Sequence, residues 1–246
     1  MMPAHADVVF SRMPNPIPPN VVSLGYEATS TTEFGGAATL SPGPRVASEI
    51  TVLMSNWAMK STWDPSGSST GFSVPLTFSL YQAGTPTPGA LIESRTINAF
   101  IPWRPEPSVE CGGSAWLASD NECYNGLAVS VQFDFTGVVL PDDLVFGLSF
   151  NTQHYGATPT GTPGPYNSLN FGLLGAAPSV GTNPYPGNVY WNTHHAPFLS
   201  TGTMDVFSRD DFWLYEPAIQ ISAVSEVPEP ATYLMMGLGL LALLVL

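Results

Sequence analysis

Phe72-Ser73-Val74-Pro75-Leu76-Thr77-Phe78-Ser79-Leu80 decides the fold. Apolar residues alternate strictly with small or polar ones, the period of a strand with one buried and one wet face. Pro75 falls on the outward set, which places it at an edge or a bulge because it has no N–H for a ladder. Leu127-Ala128-Val129-Ser130-Val131-Gln132-Phe133-Asp134-Phe135 and Leu144-Val145-Phe146-Gly147-Leu148-Ser149-Phe150 repeat the pattern. Weaker strands are expected at 21–26, 49–57, 91–100, 169–174, 189–192 and 218–224. Turn signals such as Asp64-Pro65-Ser66-Gly67 and Leu140-Pro141-Asp142-Asp143 punctuate them. No helical period appears before the tail. Nine or ten such strands predict an all-β antiparallel sandwich, jelly-roll-like in its closure.

Composition agrees. The 246 residues include 23 Gly and 25 Pro, which serve turns better than helices. Leu, Ile, Val and Phe number 62, enough for a packed core. Six Lys and Arg against 19 Asp and Glu give a net charge of −13, and Lys60 is the sole lysine. Such a chain has little with which to neutralise phosphates, so nucleic acid is excluded as a partner.

The last residues read Val227-Pro228-Glu229-Pro230, then Ala231-Thr232-Tyr233-Leu234 and an apolar run through Gly237 and Gly239 to Leu246. As a helix, the 16 residues from Ala231 would span about 24 Å against a hydrocarbon core of about 30 Å. The run is apolar all round, which suits lipid better than a domain surface. The Pro-Glu-Pro triplet before a glycine-punctuated hydrophobic helix resembles the PEP-CTERM sorting signal of Gram-negative bacteria, often makers of exopolysaccharide. The resemblance covers about the last twenty residues. It implies a membrane-anchored intermediate in the inner membrane, processing by an exosortase, and delivery to the cell surface or extracellular matrix. That family's tail ends in an Arg-rich cluster, which does not appear before Leu246. Ala4-His5-Ala6 before Asp7 has the small-x-small form of a signal-peptidase site, so 1–6 are expected to be a signal-peptide remnant. The expected organisation is then a Pro-rich arm or leader strand over 7–20, the sandwich over 21–224 and the sorting segment over 225–246.

Two cysteines, Cys111 and Cys123, bound a Gly/Ser/Asn-rich loop and predict a local disulfide in an oxidising compartment. From Leu80-Tyr81-Gln82-Ala83-Gly84 to Phe146-Gly147-Leu148-Ser149-Phe150-Asn151, the body is similar in phrasing to anchored extracellular β-sandwich domains, a likeness that implies a fold and no activity.

Catalytic signals are sparse. Gly67-Ser68-Ser69-Thr70-Gly71 has the letters of a nucleophile elbow, but a turn precedes it and a strand follows, so it reads as a loop. Adjacent His194 and His195 point to opposite faces and do not share a metal. His154, one of that pair and Asp205 would make a site only if the fold joins them. Asp142-Asp143 and Asp210-Asp211 are candidate calcium ligands, though turn geometry explains them as well. Among the aromatic residues, Trp191 and Tyr185, beside turn residues, are the expected exposed platforms for a carbohydrate. These readings favour a non-enzymatic surface or matrix protein associated with exopolysaccharide, with a glycan hydrolase or carbohydrate-binding module as the alternative.

Overall fold

The computed structural model describes residues 6–225. The expected C-terminal helix, the sorting motif and most of the signal-peptide remnant lie outside the described residues. The strands are β1 (Asp7–Ser11), β2 (Val22–Gly25), β3 (Thr31–Thr39), β4 (Val46–Asn56), β5 (Gly71–Gln82), β6 (Leu91–Pro102), β7 (Trp116–Leu117), β8 (Cys123–Tyr124), β9 (Leu127–Asp134), β10 (Asp143–Ser149), β11 (Leu169–Leu174), β12 (Asn188–Thr193), β13 (Ser208–Asp211), β14 (Glu216–Pro217) and β15 (Ile219–Val224). Only one four-residue α-helix, Lys60–Trp63, interrupts them among the described residues, and none of their helices is long and apolar enough to cross a membrane.

All strand pairings are antiparallel, and two sheets pack as a sandwich around one core. The first sheet centres on β4, with β9 along one edge and β15 then β11 end to end along the other; β1 flanks β15 and β2 flanks β11. The second runs β13-β12-β3-β10-β5-β6. Their inner faces meet through aromatic rings. Phe78 of β5 lies 5.6 Å from Phe133 of β9 and stacks on Phe146 of β10 at 5.9 Å, and Phe34 of β3 meets Phe171 of β11 at 6.3 Å.

The strongly alternating segments are the strands predicted. Pro75 lies within β5, one strand in from the edge; β10 stops at Ser149 opposite Thr77, so β5 is locally an edge where the proline stands. Residues 7–11 take the leader-strand alternative, pairing with β15. A bulge between Val8 and Phe10 turns the consecutive Val9 and Phe10 inward. Strand β3, third in the order of the second sheet, is not expected from the sequence pattern. Cys111 and Cys123 form the expected disulfide, closing the loop that carries the β7–β8 hairpin.

On the outer face of the second sheet, Glu33 of β3 folds across Gly147 of β10 to reach β5, where the Tyr81 hydroxyl donates to it at 2.9 Å. A Cβ on Gly147 would sit 2.2 Å from Glu33 Oε1, so this path needs a glycine. Burial pushes the Glu33 carboxyl up to about 7, the Tyr81 hydrogen bond opposing it only in part. The same burial, with the Glu33 charge, raises the Tyr81 phenol.

Two consequences are measurable. Purified protein should show no titratable thiol, and reduction should cost about 3 kcal/mol of stability in urea unfolding on the loop-closure argument; a free thiol count of two would refute the bridge. Glu33 holds a proton in the folded state between pH 4.5 and about 7 that the unfolded chain has released, so stability falls as pH rises through that window. Glu33→Gln keeps an acceptor for Tyr81 and should raise stability at pH 8 by roughly 2–3 kcal/mol, with no gain at pH 4. An identical pH profile in the variant would show that the carboxyl is not the source.

Candidate functional site

Where the outer edges of β2 and β13 diverge, the sandwich stays open as a groove of about 380 Å³. Its walls are Val22 and Leu24 of β2, Leu173 of β11, and the segment Asp211-Phe212-Trp213 with Tyr215; Ser23, Thr29 and Ser200 add hydroxyls. Trp213 is 89% exposed, while Tyr215 and Phe198 keep part of their rings in solvent. Phe212 turns the other way, edge-on to Phe34 at 5.4 Å and to Trp191 at 5.6 Å. The run Phe212-Trp213-Leu214-Tyr215 follows β13 without alternation, so no strand can bury all four. This lack of a period is the signal that could have marked Trp213.

Trp191 is corrected by this geometry. It is 2% exposed and belongs to the core, its indole N–H donating to Thr31 Oγ1 at 2.7 Å. The reason is β13, which pairs outside β12 and makes the expected rim an interior position. Tyr185 stands away from the groove, on the outer face of the second sheet. The Arg209 guanidinium lies 4.8 Å from its ring centre, and the ring packs against the buried Ala37, Val145 and Tyr190. Trp191 still lines the groove, but as a buried ring rather than an exposed platform, whereas Tyr185 is not among the groove's lining residues.

The calcium candidates serve local structure. Asp142 pairs with Arg45 at 2.8 Å and Asp143 accepts from Thr39. Asp210 is fully buried, and its Oδ1 accepts the N–H groups of Ser200, Thr201 and Gly202 at 2.9, 2.6 and 2.8 Å, holding the loop that borders the groove. Asp211 points the other way, into the groove wall. Among the described residues, no three His, Cys, Asp or Glu side chains converge.

The Gly/Pro-rich loop over 176–187, between β11 and β12, is anchored as well. It roofs a second cavity of about 410 Å³ at whose base buried Arg12 pairs with Glu216; that carboxylate also accepts from Asn183 and from the Gly187 N–H at 3.0 Å. Ser69 of the elbow-like stretch spends its hydroxyl on Asp64, and the adjoining residues are exposed turn. The histidines are brought together in part. His194 pairs with Asp205 and stacks with Tyr155 at 5.8 Å; His154 pairs with Glu27 and meets the same tyrosine at 6.2 Å. His195 turns away, 4.6 Å from Phe198.

No curated protein and no solved structure matches the chain. A family model does match at its C-terminal end: residues 226–246 are a PEP-CTERM protein-sorting motif, which includes Val227-Pro228-Glu229-Pro230. The chain therefore carries the signal of an exported protein that exosortase sorts to the cell surface.

Proposed function

We propose that the protein is a surface or matrix protein with a non-enzymatic, exopolysaccharide-associated role, contacting glycan through the groove at Trp213. In this reading the C-terminal segment from Ala231 to Leu246 spans the inner membrane as a helix until exosortase processes it. The observation that carries the glycan contact is an indole 89% exposed beside a groove whose rim holds hydroxyls. An aromatic face covers the apolar face of a sugar ring, while the hydroxyls exchange hydrogen bonds with its edges. Asp211 is the sole carboxylate among the groove's lining residues, whereas glycoside hydrolysis uses two across the scissile bond. Binding without cleavage is thus the better use of the groove, and a dedicated carbohydrate-binding module is its narrower form.

The jelly-roll path belongs to the same reading. It is supported by nested pairing, β1 with β15, β3 with β10, β4 with β9 and β5 with β6, the pattern of one long hairpin wrapped over a core. Strands β11 to β14 then form an insertion between β10 and β15, and that insertion supplies most of the groove.

Fractionation tests the address. Full-length chain should appear in the inner membrane and then at the surface, and deletion of 231–246 should move it to the soluble exported fraction; persistent cytoplasmic recovery would contradict export. Binding of the host's exopolysaccharide should weaken at least tenfold in Trp213→Ala and stay within twofold in Tyr185→Ala, with no product formed. Equal binding by Trp213→Ala would remove the groove from the glycan contact.

A further inference from the structure

A different corner of the second sheet holds three departures from regular structure. The chain enters β3 through a tight turn with Ser30 at φ +55°. The β3–β12 register then jumps, Asn192 opposite Glu33 and Thr193 opposite Thr31, which leaves Thr32 as the extra residue of a bulge. Bulges re-aim side chains and recur beside active sites. The Thr32 hydroxyl lies 2.9 Å from His194 Nε2, and His194 Nδ1 pairs with the carboxylate of Asp205. Asp205 itself sits at φ +62°, a conformation costly for a residue with a Cβ.

The frame is fixed from both sides. The His194 N–H donates to Ser30 O at 2.9 Å and the Asp205 N–H to Thr193 O at 3.0 Å, while Tyr155 stacks on the imidazole. A carboxylate only accepts, so neutral His194 carries its proton on Nδ1 and offers the Nε2 lone pair to the Thr32 O–H. A nucleophile, a base and a group that orients the base are therefore in hydrogen-bond order.

We infer that Thr32, His194 and Asp205 form a hydroxyl–imidazole–carboxylate relay that hydrolyses carboxylic esters. The Thr32 oxygen attacks the ester carbonyl carbon as its proton passes to His194 Nε2. The bond to the leaving alcohol breaks, the alcohol takes that proton, and Thr32 carries the acyl group. Water then attacks the acyl carbon and gives a proton to Nε2. The bond to Thr32 breaks, the proton returns to its oxygen, and the carboxylic acid departs. Asp205 is a positioning residue that holds the imidazole tautomer. The side chains of His194 and Asp205 are 45% and 51% exposed, so the relay is open to an ester displayed on a larger molecule, such as an O-acylated sugar. The methyl group of threonine crowds both acyl-transfer steps, and the acyl-Thr32 species should accumulate. The non-enzymatic role proposed above belongs to the groove; the relay lies at a separate corner, replaces that reading there, and does not rest on the glycan contact.

The test uses the full chain in mild detergent with p-nitrophenyl acetate. Nitrophenol release should exceed the blank, and acid quenching should trap one acetyl group on the Thr32 peptide. The rate should rise with deprotonation of an imidazole, a limb absent in His194→Gln, which should lose about 100-fold or more. Thr32→Val keeps the shape, removes the hydroxyl and should abolish both signals; Thr32→Ser should keep them and turn over faster. Asp205→Asn should lower the rate while leaving the acetylation site unchanged. Intact Cys111–Cys123 protection and an unchanged far-UV spectrum establish that each variant is folded. No turnover by the wild type, acetyl on another residue, or an unaltered rate in folded Thr32→Val would overturn the relay.

Discussion

The second sheet depends on three side chains that are not there. A Cβ on Gly35 would lie 1.8 Å from the Phe146 carbonyl oxygen, so β3 and β10 can pair at this point only without one. Gly36, on the opposite face, leaves the space that the Phe146 ring fills, its Cζ 3.1 Å from where a Cβ would be. Phe146 is thereby set beneath Phe78, and Phe78 carries the contact to the other sheet through Phe133. Gly147 opens the outer face to Glu33. The close approach of two backbones thus orders the core on one side and seats an isolated carboxyl on the other.

The same feature explains what the sequence concealed. Strands β5, β9 and β10 were legible because each buries large apolar residues at every second position. In β3, Thr31-Thr32-Glu33-Phe34-Gly35-Gly36-Ala37-Ala38-Thr39 offers one large apolar residue, and most of its burial comes from backbone proximity, which leaves no hydrophobic period. The pairing of Cys111 with Cys123 was legible because the loop between them is short and the chain has no other cysteine. The groove was not, since it depends on where the edge strands end. Trp191 looked terminal in sequence, but four residues from the far side of a loop, Ser208–Asp211, add a strand outside it. The Trp213 segment takes the exposed position that Trp191 loses.

Both places with chemical potential lie where pairing fails or shifts. The groove exists because β2 and β13 are edges with no strand to bridge them. The Thr32 corner exists because one extra residue in β3 turns a hydroxyl towards a histidine that would otherwise end a strand. Regular sheet cannot produce either, since it fixes each side chain to one of two faces. Asp210 shows the cost of keeping such irregular segments in order: a buried carboxylate is spent on three backbone N–H groups of the loop between β12 and β13.

Charge narrows what the groove can hold. With a net charge of −13 and a single lysine, the molecule repels polyanions over distances near the Debye length, about 8 Å at physiological salt. Arg12 and Arg45 are already paired with carboxylates, and Arg209 lies over Tyr185. None of the groove's lining residues is Lys or Arg. An acidic polysaccharide would meet repulsion there with no local cation to offset it. A neutral sugar face on Trp213 pays no such cost, because its contact rests on apolar area and hydroxyl hydrogen bonds. The affinity of the groove should therefore be nearly independent of ionic strength for a neutral glycan, and salt should strengthen any residual binding of an acidic one by screening.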